Sequence, residues 1–298
     1  MIDQVIKTRK ADIGGLEVGR VLPYRERRMV GPFIFLDHAG PVTLAPHIPH
    51  SLDVLPHPHI GLSTATYLFD GVWMHRDSTG VEQPIRPGDV NWMTAGRGVS
   101  HSERFEAHFR ETGGPMELLQ AWVALPDEAE EVAPSFHHHG HASLPVLEEN
   151  GLWARLIVGA AFGLAAPAPT HSPLFYLHCE LQAGARAALP HEYPERAAYV
   201  AAGRVEVSGQ VYERGQMLVF APGAAPTIQA LAASRVMLLG GEPVGPRHIW
   251  WNFVASSRER IEQAKADWQA GRIPLPYHDG EEFIPLPGAP AAAPERLS

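Results

Sequence analysis

Two pairs of side chains that can bind metal lie in the first half of the chain, with one residue between the members of each pair. The first pair is His57 and His59, and the second is His101 and Glu103. Because successive side chains of an extended strand point to opposite faces, residues two apart share a face. Two such pairs on adjacent strands would bring three imidazoles and one carboxylate to one point. This donor set suits Fe(II), Ni(II), Cu(II), Co(II), Mn(II) and Zn(II), so the spacing predicts a metal site without selecting the ion.

The sequence around these pairs is typical of an all-β protein. Its 28 glycines and 28 prolines are scattered at short intervals and separate short apolar runs, as in a sandwich or barrel. One His-x-His pair alone would be a weak sign of a metal site, but two pairs within this pattern are far more specific. The apolar runs predict strands at residues 31–37, 63–69, 118–125, 152–158, 175–181, 198–207, 217–220 and 236–239.

Two parts of the chain repeat the same order of features. In residues 67–71 and 87–90 an apolar strand meets a glycine turn and a second glycine opens another strand, and residues 199–203 and 215–219 repeat this order. A chain of 298 residues also exceeds the usual size of one domain. We therefore predict a duplicated β-domain, with one domain at 1–135 and the second at 136–298.

One helix is predicted near the C-terminus, where it should pack on a barrel. Ser256 and Glu259 have the spacing of a capping box, and apolar residues at 261, 264, 266 and 268 follow at helical spacing before Gly271 ends the helix. The Pro- and Ala-rich tail beyond Pro285 is predicted to be disordered.

The segment that carries the second pair resembles the pirins, a family within the cupin superfamily that includes bacterial pirin-like proteins. Residues 87–103 read PGDVNWMTAGRGVSHSE, which is similar to the pirin hallmark almost letter for letter. Residues 31–38, 57–67 and 251–253 are also similar to pirins, so the resemblance covers most of the chain. It implies two tandem cupin barrels of jelly-roll type, with the C-terminal helix packed on them.

By this resemblance one divalent transition metal is bound per chain, and its ligands are His57, His59, His101 and Glu103. Iron(II) is the favoured ion, and nickel, copper, cobalt, manganese and zinc stay open. Many cupins instead carry a glutamate four or five positions after the second histidine, where this chain has Ser63 and Thr64. In this chain the carboxylate ligand would instead be Glu103, which resembles the pirin pattern.

The second barrel is expected to be degenerate and to bind no metal. Its counterpart of the first pair begins at His191, but Tyr193 stands where a second histidine would be needed. No His-x-Glu pair follows Pro222 and Gly223 either.

The resemblance implies two functions from different classes. Some pirins are quercetinases, metal-dependent oxidoreductases that open the heterocycle of a flavonol such as quercetin by 2,3-dioxygenation and release carbon monoxide. We favour this enzyme, with the flavonol and O₂ as its substrates. Glu103 is then the catalytic residue, a ligand that can leave the metal and act as general base for the flavonol hydroxyl. The alternative is a metal-loaded, redox-sensing regulator that acts through a protein partner.

Composition narrows the partners and the compartment. A formal net charge of −9 disfavours direct binding to nucleic acid. The N-terminal residues do not resemble a signal peptide, and no run reaches the roughly 18 apolar residues of a membrane span. The one cysteine, Cys179, cannot form an internal disulfide and is predicted to be a buried strand thiol. We expect a cytoplasmic protein without membrane contact, and a monomer.

Two further groups of histidines have mainly structural interpretations. Residues 137–141 read HHHGH and are predicted to form a solvated loop between the domains that binds metal only adventitiously. His75 and Asp77 are predicted to lie in a turn after Trp73, as a structural pair. The alternative is that this pair contacts a metal ligand and supports it without binding the metal.

Overall fold

The structure is a computed structural model, and it describes residues 1–13 and 15–288. Strands dominate it, which confirms the predicted all-β class. The two α-helices of the described residues are α1 (Ala107–Thr112) and α2 (Arg258–Gln269). No helix in this part of the chain is both long enough and apolar enough to cross a membrane.

The strands are short and follow one another closely along the chain. The first thirteen are β1 (Ile2–Lys7), β2 (Arg9–Ile13), β3 (Leu16–Leu22), β4 (Phe33–Leu44), β5 (Val54–His59), β6 (Leu62–Asp70), β7 (Trp73–Asp77), β8 (Glu82–Ile85), β9 (Val90–Thr94), β10 (Val99–Phe105), β11 (Gly114–Ala124), β12 (Ser135–His139) and β13 (Val146–Glu149). The others are β14 (Leu152–Ala161), β15 (Leu164–Ala165), β16 (Leu174–Leu181), β17 (Arg186–Ala188), β18 (Glu195–Ala202), β19 (Arg204–Val207), β20 (Gln210–Glu213), β21 (Gln216–Phe220), β22 (Thr227–Ala230), β23 (Ser234–Gly241), β24 (His248–Trp250) and β25 (Phe253–Ala255).

The chain divides into two compact units that are not continuous in sequence. Unit 1 consists of Met1–Ala11, Gly19–His38 and His139–Val244, and unit 2 of Asp12–Val18, Ala39–His138 and the residues from Gly245 onward. The N-terminal strand β1 thus belongs to unit 1, and helix α2 belongs to unit 2. A division into domains at residue 135 stays a prediction.

Unit 1 contains an eight-stranded and a four-stranded sheet. The larger has the order β1-β21-β18-β23-β16-β14-β13, with β15 paired to β14, and the smaller has the order β17-β22-β19-β20. Alternate residues of β16 face the core of this unit, namely Leu177, Cys179 and Leu181. The predicted strand at 198–207 is in fact two, because the chain turns at Gly203 with a positive φ of 80°.

Unit 2 contains the sheet that carries the two metal-binding pairs. This four-stranded sheet has the order β5-β10-β7-β8. A seven-stranded sheet has the order β12-β9-β6-β11-β4-β3-β2, and β24 and β25 form a separate hairpin. The chain passes from one unit to the other within β2, β3 and β4.

Helix α2 forms where it is predicted, but its N-cap lies one residue later than the sequence indicates. The Ser257 side chain accepts a hydrogen bond from the backbone N–H of Arg260, whereas the Ser256 hydroxyl donates to Glu130. Gly271 follows the helix with a φ of 69°, the left-handed conformation expected after a helix end. Of the four apolar positions predicted to pack, Ala266 is exposed, while Ile261, Ala264 and Trp268 are buried.

The segment after α2, residues 274–286, runs along the strands of the metal-binding pairs, and we call it the C-terminal strap. The backbone N–H of Ile284 donates to the carbonyl of Pro56 on β5, and the Ser102 hydroxyl on β10 donates to Asp279. Leu286 is buried in an apolar cluster with α2, so the strap is ordered beyond Pro285. The remainder of the predicted disordered tail, 289–298, lies outside the described residues.

Two predictions about histidine-containing segments are wrong. Residues 137–139 lie in the half-buried strand β12, which pairs with β9, and not in a solvated loop. There His138 Nδ1 lies 2.8 Å from Asn91 Oδ1. His75 and Asp77 lie on β7 and not in a turn, because this segment pairs with β10 and β8 on its two sides.

Candidate metal centre

Strand pairing brings the two metal-binding pairs together. Strands β5 and β10 are antiparallel neighbours, and His57 lies directly opposite His101. His59 lies opposite Val99, at the next position on the same face. The alternation of strand side chains that the spacing predicts is therefore what orients the three imidazoles.

The three histidines form a compact, buried triad. Their candidate ligand atoms all lie within 4.8 Å of one another. The exposed fraction is 7% for His57 and 1% for His59 and His101. Ring centroids of His57 and His101 are 4.4 Å apart, and the Nε2 atoms of His59 and His101 are 3.1 Å apart. In the described part of the chain, this triad is the one histidine, cysteine or carboxylate group with such geometry.

Backbone carbonyls fix the tautomers of two of the three rings. His57 Nδ1 lies 2.9 Å from the carbonyl oxygen of Leu55, and His59 Nδ1 lies 3.0 Å from that of Asn252. Because a carbonyl oxygen can only accept, each Nδ1 must carry the proton. The Nε2 atom of each ring is then a lone-pair donor directed into the triad.

The triad is electrically neutral. Burial lowers the pKa of His57 to about 4, and it lowers the pKa of His59 and His101 well below the ordinary histidine value. Repulsion from neighbouring histidines acts in the same direction. Neutral imidazole is the form that binds a metal ion, so protons do not compete for these nitrogens near neutral pH.

Glu103 lies two residues after His101 on β10, but it is not part of the close group of ligand atoms that the three histidines form. The register of β10 against β5 shifts after His101, so Glu103 pairs with Val54. The side chain is buried, its Oε1 lies 3.5 Å from the Thr66 hydroxyl, and burial raises its pKa to about 7. The close group of ligand atoms comprises the three histidines alone. Coordination by Glu103 thus stays a prediction.

The residues present fit a divalent transition metal. Two ligand nitrogens about 2.1 Å from one ion and roughly at right angles to each other are about 3 Å apart. This matches the 3.1 Å between the Nε2 atoms of His59 and His101. His59 Nε2 carries a lone pair. The close approach of His59 Nε2 to His101 Nε2 is explained if both nitrogens direct their lone pairs at one cation. A buried set of neutral imidazoles with a carboxyl nearby suits Fe(II), Ni(II), Cu(II), Co(II), Mn(II) and Zn(II).

Several groups around the triad could not be identified from the spacing of the ligands. The carbonyl of Asn252 comes from the turn between β24 and β25, 193 residues after His59. Trp122 on β11 meets the His59 ring edge to face at 5.0 Å. His75 Nδ1 on β7 lies 3.4 Å from His101 Nδ1. Only the last group had a sequence signal, the His-x-Asp pair at 75–77.

The segment of unit 1 that corresponds to the first pair does not build such a centre. The Tyr193 hydroxyl donates to the carbonyl of Ala160 at 2.7 Å, and His191 is exposed beside Glu192. The absence of a metal site in the second barrel stays a prediction.

Comparison with known proteins gives consistent matches along the whole chain. The family model described as Pirin matches residues 15–123, and the one described as Pirin C-terminal cupin domain matches residues 176–274. A pirin-like protein of Caulobacter vibrioides is 63% identical over 288 residues, which cover 96% of this chain and 100% of the relative. A Pseudomonas aeruginosa protein, provisionally named a quercetin 2,3-dioxygenase, is 39% identical over 90% of this chain and 84% of its own length.

A solved structure shows the same fold. The crystal structure of quercetin 2,3-dioxygenase from Acinetobacter baumannii superposes with a TM-score of 0.83 and 36% identity, covering 99% of this chain and 95% of that one. These matches confirm the predicted arrangement of two cupin domains. Together with the two family models and the close relative, they establish that the chain belongs to the pirin family.

Proposed function

We propose that the protein is a metal-dependent flavonol dioxygenase that opens the heterocycle of quercetin or a similar flavonol with O₂ and releases carbon monoxide. His57, His59, His101 and Glu103 hold one iron(II) ion in this proposal. The observation that carries it is the buried, neutral triad with a carboxyl of raised pKa two residues along the same strand. The similarity to proteins named as quercetin 2,3-dioxygenases supports the choice of substrate.

Iron(II) is preferred because imidazole and carboxylate donors around non-haem iron are a combination that supports oxygenase chemistry. A metal held by these residues would supply a Lewis acid for the 3-hydroxyl oxygen of the flavonol. The three histidines contribute fixed neutral donors, and the hydrogen bonds to Leu55 and Asn252 hold two of the rings in place.

Glu103 is the group that accepts the proton of the flavonol hydroxyl. In the metal-free protein burial raises its pKa to about 7, and as a ligand that can leave the metal it can act as a general base. The Thr66 hydroxyl lies 3.5 Å from Glu103 Oε1 and 2.8 Å from Gln120 Oε1. Donation to Gln120 leaves the Glu103 carboxylate able to take up the substrate proton.

Substrate reaches the site from the side of His57 and Glu103 in this proposal. Each of these two residues keeps 7% exposure, whereas His59 and His101 are almost completely covered. We further propose a cytoplasmic monomer, in which the buried free thiol of Cys179 suits a reducing compartment.

The test is reconstitution of the metal-free protein with Fe, Cu, Ni, Co or Mn, followed by a quercetin bleaching assay. Loss of quercetin absorbance should accompany release of carbon monoxide and, with ¹⁸O₂, entry of both labelled atoms into the ring-opened product. The His57→Ala variant and free metal in buffer serve as controls. If no reconstituted form turns over a flavonol, the enzyme proposal fails. The redox-sensing regulator then becomes the better hypothesis, and metal-state-dependent pull-downs would be the next experiment.

A further inference from the structure

A buried row of three side chains ends at the triad. Asp77 Oδ2 lies 3.0 Å from His75 Nε2, and His75 Nδ1 lies 3.4 Å from His101 Nδ1. All three residues are at most 4% exposed. The row crosses from β7 to β10, where Asp77 lies opposite His101 in the strand register. Phe136 stacks on the His75 ring at 4.5 Å and so fixes the plane of that ring.

The hydrogen bonds of Asp77 define its role in the row. Its Oδ1 accepts from the backbone N–H of Thr79 at 2.8 Å, from the Thr79 hydroxyl at 2.6 Å and from the backbone N–H of Val81 at 3.3 Å. Three donors on one oxygen are the environment of an ionised carboxylate, which has no proton to give. His75 Nε2 must therefore donate to Oδ2.

The position of the proton on His75 determines which nitrogen of His101 is protonated. A neutral imidazole has a proton on one nitrogen only, so His75 Nδ1 is an acceptor. His101 Nδ1 then donates to it, which leaves a lone pair on His101 Nε2. In this way the carboxylate of Asp77 does for His101 what the carbonyls of Leu55 and Asn252 do for the other two rings.

We propose that Asp77 and His75 are positioning residues that hold His101 in the tautomer that presents Nε2 to a metal. The inference rests on the proposed metal function, which it deepens. The competing tautomer has an acceptor at hand, because a proton on His101 Nε2 would point at His59 Nε2 only 3.1 Å away. That hydrogen bond would close the site to a metal ion. Asp77 and His75 exclude this hydrogen bond between His101 and His59.

The Asp77→Asn variant gives a sharp test. The asparagine oxygen can still accept from Thr79 while its amide N–H₂ donates to His75 Nε2, which moves the His75 proton to Nδ1. His75 must then donate to His101 Nδ1, and the His101 proton moves to Nε2. Long-range ¹H–¹⁵N spectra of the metal-free protein report this change directly. Nickel(II) affinity, measured by chelator competition, should fall by about 10–100-fold, as is typical when the partner of a ligating histidine is lost.

Unit 1 supplies a matched control. His178 Nε2 lies 3.0 Å from Glu180 Oε1 on β16, so this pair repeats the His-x-acid geometry away from the triad. Glu180→Gln should leave the His101 tautomer and the nickel affinity unchanged. His75→Phe keeps an aromatic ring against Phe136 but removes the acceptor, and it should also move the His101 proton to Nε2. This second variant decides the question if Asp77→Asn does not fold.

A His101 proton on Nε2 in the wild-type protein, or one that stays on Nδ1 in the folded variants, would overturn the proposal. Because the tautomers are read without metal and without flavonol, this result is independent of whether the protein cleaves quercetin. If the wild-type protein shows the expected His101 tautomer but no flavonol turnover, the proposed dioxygenase activity fails and the positioning role of Asp77 and His75 stands.

Discussion

The Nδ1 atom of His59 lies 3.0 Å from the backbone carbonyl oxygen of Asn252, a residue 193 positions later in the chain. This hydrogen bond fixes the tautomer of a proposed ligand near the start of the chain through a turn near its end. The C-terminal part of unit 2 is therefore part of the support of the candidate centre.

Replacing either His57 or His101 by alanine should release most of the bound metal while the fold is kept. Each substitution removes one nitrogen donor and leaves a small polar cavity on a β-strand. Metal content by elemental analysis, with circular dichroism for the fold, checks the expectation. The exposed His141→Ala variant is the control and should keep its metal. Full retention of metal in both ligand variants would refute the assignment.

Wild-type protein should hold one tight metal equivalent per chain. The triad is the one close group of its kind in the described residues, and Tyr193 is engaged with a backbone carbonyl in unit 1. The histidines at 137–141 should add only weak binding. Dialysis against a mild chelator, followed by elemental analysis, separates the two classes. Two equivalents that survive dialysis would contradict this prediction.

Glu103→Gln separates a general base from a simple ligand. Glutamine keeps a neutral oxygen donor of similar shape but cannot take up a proton. If Glu103 is the base, flavonol cleavage per bound metal should fall by roughly 10²–10⁴-fold while metal content falls only modestly. Glu111→Gln, at an exposed position, is the control. A rate per metal that stays within several-fold of wild type would mean that Glu103 is not the base.

Asp279→Asn should destabilise the protein at neutral pH. Burial opposes ionisation of Asp279, but hydrogen bonds from Arg104 and Ser102 outweigh it and hold the pKa of the carboxyl below its ordinary value. A depressed pKa in the folded state contributes stability above the unfolded-state pKa, and that stability is lost as the pH falls through the folded-state value. Loss of these charged hydrogen bonds should cost about 1–3 kcal/mol in the free energy of unfolding at pH 7.

Denaturant titrations at pH 7 and below the ordinary aspartate pKa of 3.8 measure this effect. The difference between wild type and Asp279→Asn should shrink in acid, below the ordinary aspartate pKa of 3.8. Asp267→Asn is the matched control, because Asp267 pairs with the half-exposed Arg272 on the surface of α2. Its effect should stay within about 1 kcal/mol. Equal effects of the two substitutions would show that the strap contact contributes no more than a surface pair.

Cys179 should not react with thiol reagents in the native protein. Its side chain is buried in the core of unit 1, and burial raises the pKa of the thiol to about 12. At pH 8 the thiolate, the reactive form, is then on the order of one molecule in 10⁴. A chromogenic disulfide reagent should release one equivalent only after denaturation. Rapid stoichiometric reaction of the folded protein would be inconsistent with this burial.

The strands, the helix and the triad could be predicted because they depend on local patterns. The spacing of His57, His59 and His101 reveals the side-chain alternation, whereas the resemblance to pirins, and not the spacing, indicated that the two pairs share one site. The register shift between His101 and Glu103 depends on how β10 meets β5 and leaves no mark in the spacing.

Features that depend on distant partners could not be predicted in the same way. Ser256 and Ser257 are equally good caps by composition, and the contact of Ser256 with Glu130 decides between them. The segment 137–139 is polar enough to suggest a loop, yet pairing with β9 makes it a strand. Leu286 is ordered because α2 and its neighbours offer an apolar surface that the tail composition does not reveal.

The C-terminal strap has a consequence for the order of events during synthesis. His57, His59 and His101 leave the ribosome well before Asn252, Asp279 and Ile284, which complete the contacts around β5 and β10. At about 5–20 residues per second, the delay is on the order of ten seconds. The candidate ligands are therefore exposed to any available ion before the fold can hold them in position. Selective metal loading therefore becomes possible only after the C-terminal strap has been synthesised.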